Sequence, residues 1–417
     1  MKRILPFVLS VFFIMAMLSS CTASRADNLM NGITPRQNAA DDLLYTDVSD
    51  IAVTEFALRL FRESTVEGEN TLISPLSILI ALSMTANGAD NETLTQMQNT
   101  LGMPVSQLNP WIRRYIDGLP SAEKHKLSLA NSIWFSDDDR FIVNQDFLQT
   151  NADYYSADIY KAPFDQSTVK EINQWVKGKT DGMISQILDS VSPDTIMFLI
   201  NTLTFDAEWQ TIYSESQIAD GIFSTKDGVS RRVEMMYADE HLYLEDENAT
   251  GFIKYYNGQK YAFAALLPNE DTDVLEYVRS LRAEHLNHML NNAKVCPVNT
   301  AIPSFSCSYQ AEMIDILRSM GITDLFNPAK ADLSLLGRAA SEEENLFVSR
   351  ILHKTYINVD ARGTKAGAVT AITVTCTSAV IDNPKTVYLD RPFVYMLIDC
   401  ENNIPLFIGT LMDTEEG

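Results

Sequence analysis

Between Ala366 and Ile381 the chain runs for sixteen consecutive residues without a charge, most of them Ala, Thr, Val or Ile. Its middle, Val369-Thr370-Ala371-Ile372-Thr373-Val374-Thr375, has the β-branched content of a strand. A strand in a globular protein is about five or six residues long, so the run is too long for ordinary duty. Connections are normally polar, and an exposed β-prone run without charge invites aggregation. Gly363 before it and Asn383-Pro384 after it mark it off as a loop. The fold must therefore carry a long loop with the composition of a strand.

The remainder reads as an ordinary globular chain of 417 residues, 46% apolar and 21% charged, which excludes collagen-like, low-complexity and wholly disordered classes. A core of this size needs neither disulfides nor a metal. Thirty-two basic against 55 acidic residues give a net charge of −23, spread along the chain. A phosphate backbone repels such a surface, so no nucleic acid is expected as a partner. Cys296, Cys307, Cys376 and Cys400 show no C-x-x-C spacing and are expected to be free thiols.

Lys2 and Arg3 precede an apolar run from Ile4 to Leu18, the pattern of a secretory signal over residues 1–20. The run ends Leu18-Ser19-Ser20-Cys21, which resembles the lipobox of bacterial lipoproteins, in which the cysteine carries the lipid. A plain signal peptide with a chance cysteine is the alternative. Residues 21–47 lack periodicity and read as a flexible tether, followed by a single domain over 48–417.

Helical spacing of apolar residues marks Asp50–Arg62, Leu76–Ala86 and Val169–Met183. The second of these, entered through Ser74 as N-cap and Pro75, is apolar nearly all round, so it is expected at the centre of the fold with Gly88 as its stop. Strands are expected over Leu127–Phe135, Thr195–Phe205, Tyr255–Leu267, Phe347–Val359, Phe393–Ile398 and Pro405–Leu411, the last two flanking the turn Glu401-Asn402-Asn403. The simplest parse is one large α+β domain.

No nucleophile elbow, metalloprotease helix, phosphate loop or dinucleotide fingerprint occurs, so enzyme, metal and cofactor readings have nothing specific behind them. His285 and His288 lack ligand partners and read as surface residues; Asp246 and Glu247 read as a solvated turn.

Several blocks in order nonetheless resemble the serpin family. They are Asn70-Thr71-Leu72-Ile73-Ser74-Pro75-Leu76-Ser77-Ile78, Asn201-Thr202-Leu203-Thr204-Phe205 with Trp209, and Ile302-Pro303-Ser304-Phe305. Leu317-Arg318-Ser319-Met320-Gly321-Ile322-Thr323-Asp324-Leu325-Phe326, Ile351-Leu352-His353-Lys354 and Gly363-Thr364-Lys365-Ala366-Gly367-Ala368 follow. Arg391-Pro392-Phe393 and Pro405-Leu406-Phe407-Ile408-Gly409 close the chain.

The resemblance implies three β-sheets, about nine helices and an exposed reactive-centre loop over about 361–391. It implies a protease inhibitor that is cleaved in this loop, holds the protease as an acyl-enzyme and inserts the loop into the main sheet. The scissile pair would be Thr377-Ser378, with Cys376 and Ala379 as alternatives. The hinge would be Gly363, Thr364, Ala366, Ala368 and Thr370. The place where the sheet opens would be Ser74, Ser77, Asn201 and His353, with Trp209 at its top. In an inserting strand, alternate side chains face the interior. Thr364, Ala366, Ala368 and Thr370 are all small and uncharged, while the charge of Lys365 falls in the outward set. Ala361 and Lys365 depart from the acidic residues usual at those hinge positions, which puts the rate of insertion in question. No Arg or Lys lies near the expected bond, so the implied partner is an elastase-like or subtilisin-like serine protease, or a cysteine protease. The chain is expected to be a monomer held to a bacterial cell envelope, at the outer membrane or cell surface of a Gram-negative cell, by lipid on Cys21. A non-inhibitory serpin-like binding or surface protein is the alternative.

Overall fold

Pro75–Ala86, twelve residues without one exposed side chain, form a helix around which the rest is wrapped. The computed structural model describes residues 26–36, 47–119, 125–137, 141–192, 195–339, 345–364 and 384–415.

From the N-terminus, β1 (Asp27–Asn28) precedes α1 (Asp47–Ser64), β2 (Thr71–Ile73), α2 (Pro75–Ala86), α3 (Asn91–Leu101) and α4 (Val105–Asp117). Next come β3 (His125–Ser136), β4 (Phe141–Val143), α5 (Gln145–Tyr155), β5 (Asp158–Ala162), α6 (Gln166–Lys179) and β6 (Met197–Glu208). The strands β7 (Ile218–Ser224), β8 (Ser230–Glu245), β9 (Ala249–Tyr255) and β10 (Tyr261–Pro268) lead to α7 (Val274–Ser280) and α8 (Ala283–Asn291). Then follow β11 (Lys294–Pro303), β12 (Phe305–Glu312), α9 (Ile314–Ser319), β13 (Gly337–Ala339), β14 (Arg350–Val359) and β15 (Gly363–Thr364). Strands β16 (Lys385–Tyr388), β17 (Phe393–Asp399) and β18 (Ile404–Leu411) complete the chain.

The main sheet has seven strands in the order β1-β5-β3-β6-β15-β14-β12. A second sheet of nine runs β16-β11-β8-β9-β10-β17-β18-β2, with β7 on β8, and β4 pairs with β13 in a third. Three sheets and nine α-helices among the described residues are what the sequence led us to expect.

Some local expectations give way. Ser74 occupies the N-cap position of α2, but its hydroxyl caps nothing and is buried without a partner among the described residues. Gly88 does not supply a left-handed cap; a Cβ there would lie 2.4 Å from that of Leu336, so glycine is required for close approach of the 333–336 turn. The expected strand Tyr255–Leu267 is a hairpin: Gly258 and Gln259 take φ of +81° and +56°, and the chain reverses between β9 and β10. Asp246 is no solvated turn residue. Its carboxylate accepts from the amides of Asn248 and Ala249 and from the Tyr277 hydroxyl, and its side chain is only 8% exposed. His285 is exposed and lies 3.3 Å from that carboxylate. Cys296, Cys307 and Cys400 are free thiols.

Residues 26–36, read from the sequence as tether, lie against the body. Asp27 and Asn28 add to the edge of β5, Leu29, Met30 and Ile33 pack on the core, and the Arg36 amide and Nε donate to the buried carboxylate of Asp153 at 2.8 and 2.7 Å. The apolar residues of this arm are too sparse to show a period, which is why its docking was not legible.

Candidate functional site: an incompletely closed sheet

Strands β6 and β14 are parallel neighbours only over part of their length. Phe198–Thr202 pair with Arg350–Lys354. Above that, Leu203–Phe205 pair with β3 and Thr355–Asn358 with β12, and among the described residues the two sets are not paired with each other. At the top, β15 lies between them, antiparallel to both: Gly363 is opposite Glu208, and Thr364 is opposite Ala207 and Val359. Among the described residues the sheet is therefore closed below, occupied by two residues above, and flanked in between by two strand edges that are not paired with each other.

At the closed end a polar cluster sits inside an apolar core. Ser77, on the first turn of α2, donates its hydroxyl to Asn201 Oδ1, and Asn201 Nδ2 donates to Ser77 O and to Asn131 Oδ1 of β3. His353 Nε2 accepts from the Ser74 amide at 3.1 Å, while Nδ1 lies 3.3 Å from Asn201 Oδ1, an arrangement that fits a neutral ring protonated on Nδ1. The structure thus brings Ser74, Ser77, Asn201 and His353 together and adds Asn131, which sequence reasoning missed. The signal for Asn131 was a lone amide within the apolar strand Leu127–Phe135.

Burial pushes the His353 imidazole down to about 3 from 6.5. The unfolded chain therefore binds one more proton than the native state between those values. The stability this neutral ring contributes is complete above pH 6.5 and is lost as pH falls towards 3. The unfolding free energy, followed through the urea midpoint, is expected to fall between pH 6.5 and 4, by up to about 1.4 kcal/mol per pH unit from this group. Titrations of the midpoint should show a shallower dependence in His353→Asn, by one proton; an unchanged slope would remove His353 from the account.

At the open end, Trp209 is fully buried and stacked on Tyr256, with ring centroids 4.4 Å apart. Its indole donates to Asp360 O at 2.8 Å and its amide to Arg362 O at 2.8 Å. The Tyr256 hydroxyl bonds the Thr364 hydroxyl at 2.5 Å, and Thr364 is 1% exposed. The sequence gives no signal for Tyr256, because its place beside Thr364 depends on the reversal between β9 and β10. Ala366, Ala368, Thr370, Cys376, Thr377, Ser378, Ala379 and Cys21 lie outside the described residues. Within the span 361–391 expected to be loop, Gly363–Thr364 and Lys385–Tyr388 are strands; the latter runs parallel to β11.

Comparison with known proteins agrees with this geometry. The sequence model of the family Serpin (serine protease inhibitor) matches residues 51–414. The leukocyte elastase inhibitor of Equus caballus is 30% identical over 383 residues, covering 86% of this chain and 97% of that protein. The native state of tengpin, a thermophilic serpin, superposes with a TM-score of 0.87 at 45% identity, covering 93% of this chain and 100% of the other. Tengpin in its latent state superposes less well, with a TM-score of 0.79 at the same identity, covering 90% and 100%. The chain belongs to the serpin family, whose members are typically inhibitors and not enzymes.

Proposed function

We propose that the protein inhibits a protease as a suicide substrate. The protease attacks the loop at or beside Thr377-Ser378, remains attached as an acyl-enzyme, and is carried along as the loop enters the main sheet between β6 and β14. Strand insertion of this kind is a mechanism for which serpins themselves are a standard example. The observation that carries the reading here is the gap in the main sheet, with β15 already seated at its top in the antiparallel sense that an inserting strand requires.

If an inserted strand kept that register, Lys365 would lie opposite Asp206 on the outward face and Thr370 between Asn201 and His353. The lysine that replaces the usual hinge acid would then meet an acidic residue, and the Thr370 hydroxyl would meet the polar cluster. The small side chains about Thr377 suit shallow specificity pockets, hence an elastase-like or subtilisin-like serine protease, or a cysteine protease. The same reading makes the protein a monomer, attached through lipid on Cys21 to the envelope of a Gram-negative cell, at its outer membrane or surface.

Incubation with pancreatic elastase, subtilisin and papain in parallel is the test. At least one is expected to give a band of the summed masses that survives boiling in detergent. Cleavage of the loop by all three with no such band would instead identify a substrate, and the non-inhibitory reading would stand.

A further inference from the structure

Lys254 has no part in the sheet opening as described so far, yet it is one of the least exposed charges in the molecule. Its side chain is 3% exposed, and its ammonium group lies 2.6 Å from Glu240 Oε1. The rest of the ammonium faces rings: 4.5 Å from the centroid of Tyr213 and 5.5 Å from that of Trp209. A buried cation is tolerated only where carboxylate and π-faces replace water, so the positions of these rings and of the ammonium depend on one another.

The two ring residues are the ones that hold the chain leading into the hinge. Trp209 holds Arg362 O through its amide and Asp360 O through its indole, and the Tyr213 amide holds Ala361 O at 3.0 Å. Residues 209–213 continue from β6, and residues 360–362 continue from β14. The contacts therefore bridge the gap at its open end. The Tyr213 hydroxyl is buried without a partner among the described residues, so it is ring packing and not a hydroxyl bond that places this tyrosine.

We propose that Lys254 is a positioning residue for loop insertion. By filling the cage of Tyr213, Trp209 and Glu240 it fixes the 360–362 turn, and this keeps Gly363 and Thr364 paired between β6 and β14 as the start from which insertion propagates. The proposal rests on the insertion reading above. It also explains how a hinge with Ala361 in place of an acid is held: the charge that organises the open end comes from β9, outside the loop.

Two measurements test it, and the first does not depend on any protease. Hydrogen exchange of the 360–364 peptide in the intact protein is expected to quicken roughly tenfold in Lys254→Met and to stay unchanged in Lys254→Arg, which keeps the cation. Tyr213→Leu, which removes one ring and leaves the ion pair, is expected to act like Lys254→Met, and Tyr213→Phe to act like the wild type. The second measurement is the number of inhibitor molecules consumed per protease trapped, expected to rise roughly tenfold in the Met and Leu variants while the rate of first loop cleavage holds. Variants that melt earlier but keep wild-type exchange at 360–364 would reduce Lys254 to a structural ion pair and overturn the proposal. A wild type that traps no protease would sink the insertion reading, and the exchange experiment would still decide whether Lys254 fixes the hinge.

Discussion

One nick in the loop close to Thr377 is expected to raise the unfolding temperature by on the order of 20 °C. Among the described residues of the intact protein, Leu203–Phe205 and Thr355–Asn358 are not paired with each other, and the proposed mechanism takes the strand-like segment after Thr364 to be held outside the sheet. A nick frees one end of that segment. It can then add down the gap, one residue after another, from the pairing already made at Gly363 and Thr364. Each new ladder bond is worth about 1 kcal/mol net, so a strand of this length supplies on the order of 10 kcal/mol. A large domain converts this at roughly 2 °C per kcal/mol. The intact form is then a kinetic trap, because the fold holding the more favourable pairing cannot be reached while both ends of the loop are tethered. Calorimetry on intact protein and on protein nicked by a trace of elastase, with the cut located by mass spectrometry, measures the difference. Equal melting temperatures would mean that no insertion follows cleavage.

The parts of this arrangement that were legible in the sequence are those with a strong local signature. Pro75 and the run after it, apolar nearly all round, point to a central helix. The alternation of small residues after Gly363 could be compared with an inserting strand because a period of two leaves little freedom. The gap itself was not legible. It is a relation between Leu203–Phe205 and Thr355–Asn358, segments about 150 residues apart, and nothing local distinguishes the part of β14 paired with β6 from the part that pairs only with β12. The open end was lost for a different reason. The Asn257-Gly258 turn sits inside a stretch with strand composition, which hides the reversal that puts Tyr256 beside Thr364 and Lys254 beside Trp209. The arm at 26–36 was lost because one arginine bound to a buried aspartate leaves no periodic trace.

Gly363→Val is expected to turn the protein from a trap into a substrate. A Cβ at residue 363 would lie 2.1 Å from Ala207 O and 2.9 Å from Glu208 Cα. Both are backbone atoms of β6, so no side-chain rearrangement relieves the clash, and β15 must leave the sheet. The residue that follows would leave with it: Thr364 would give up its bond to the Tyr256 hydroxyl and its buried place opposite Ala207. The scissile region is untouched, so first attack by a protease should proceed at the wild-type rate. What changes is the competition after acylation. Insertion then has to begin without its first pairing, while hydrolysis of the acyl bond is as fast as before. With about 3 kcal/mol of pairing and side-chain burial removed from the start of the process, the partition should move at least about a hundredfold towards hydrolysis. The detergent-stable band should disappear, and loop-cleaved inhibitor should accumulate with active protease. The same variant, nicked, should show little of the thermal gain expected for the wild type. If Gly363→Val trapped protease as well as the parent does, the two residues seated at the top of the gap would not be where insertion starts, and the strand would have to enter the sheet from another point.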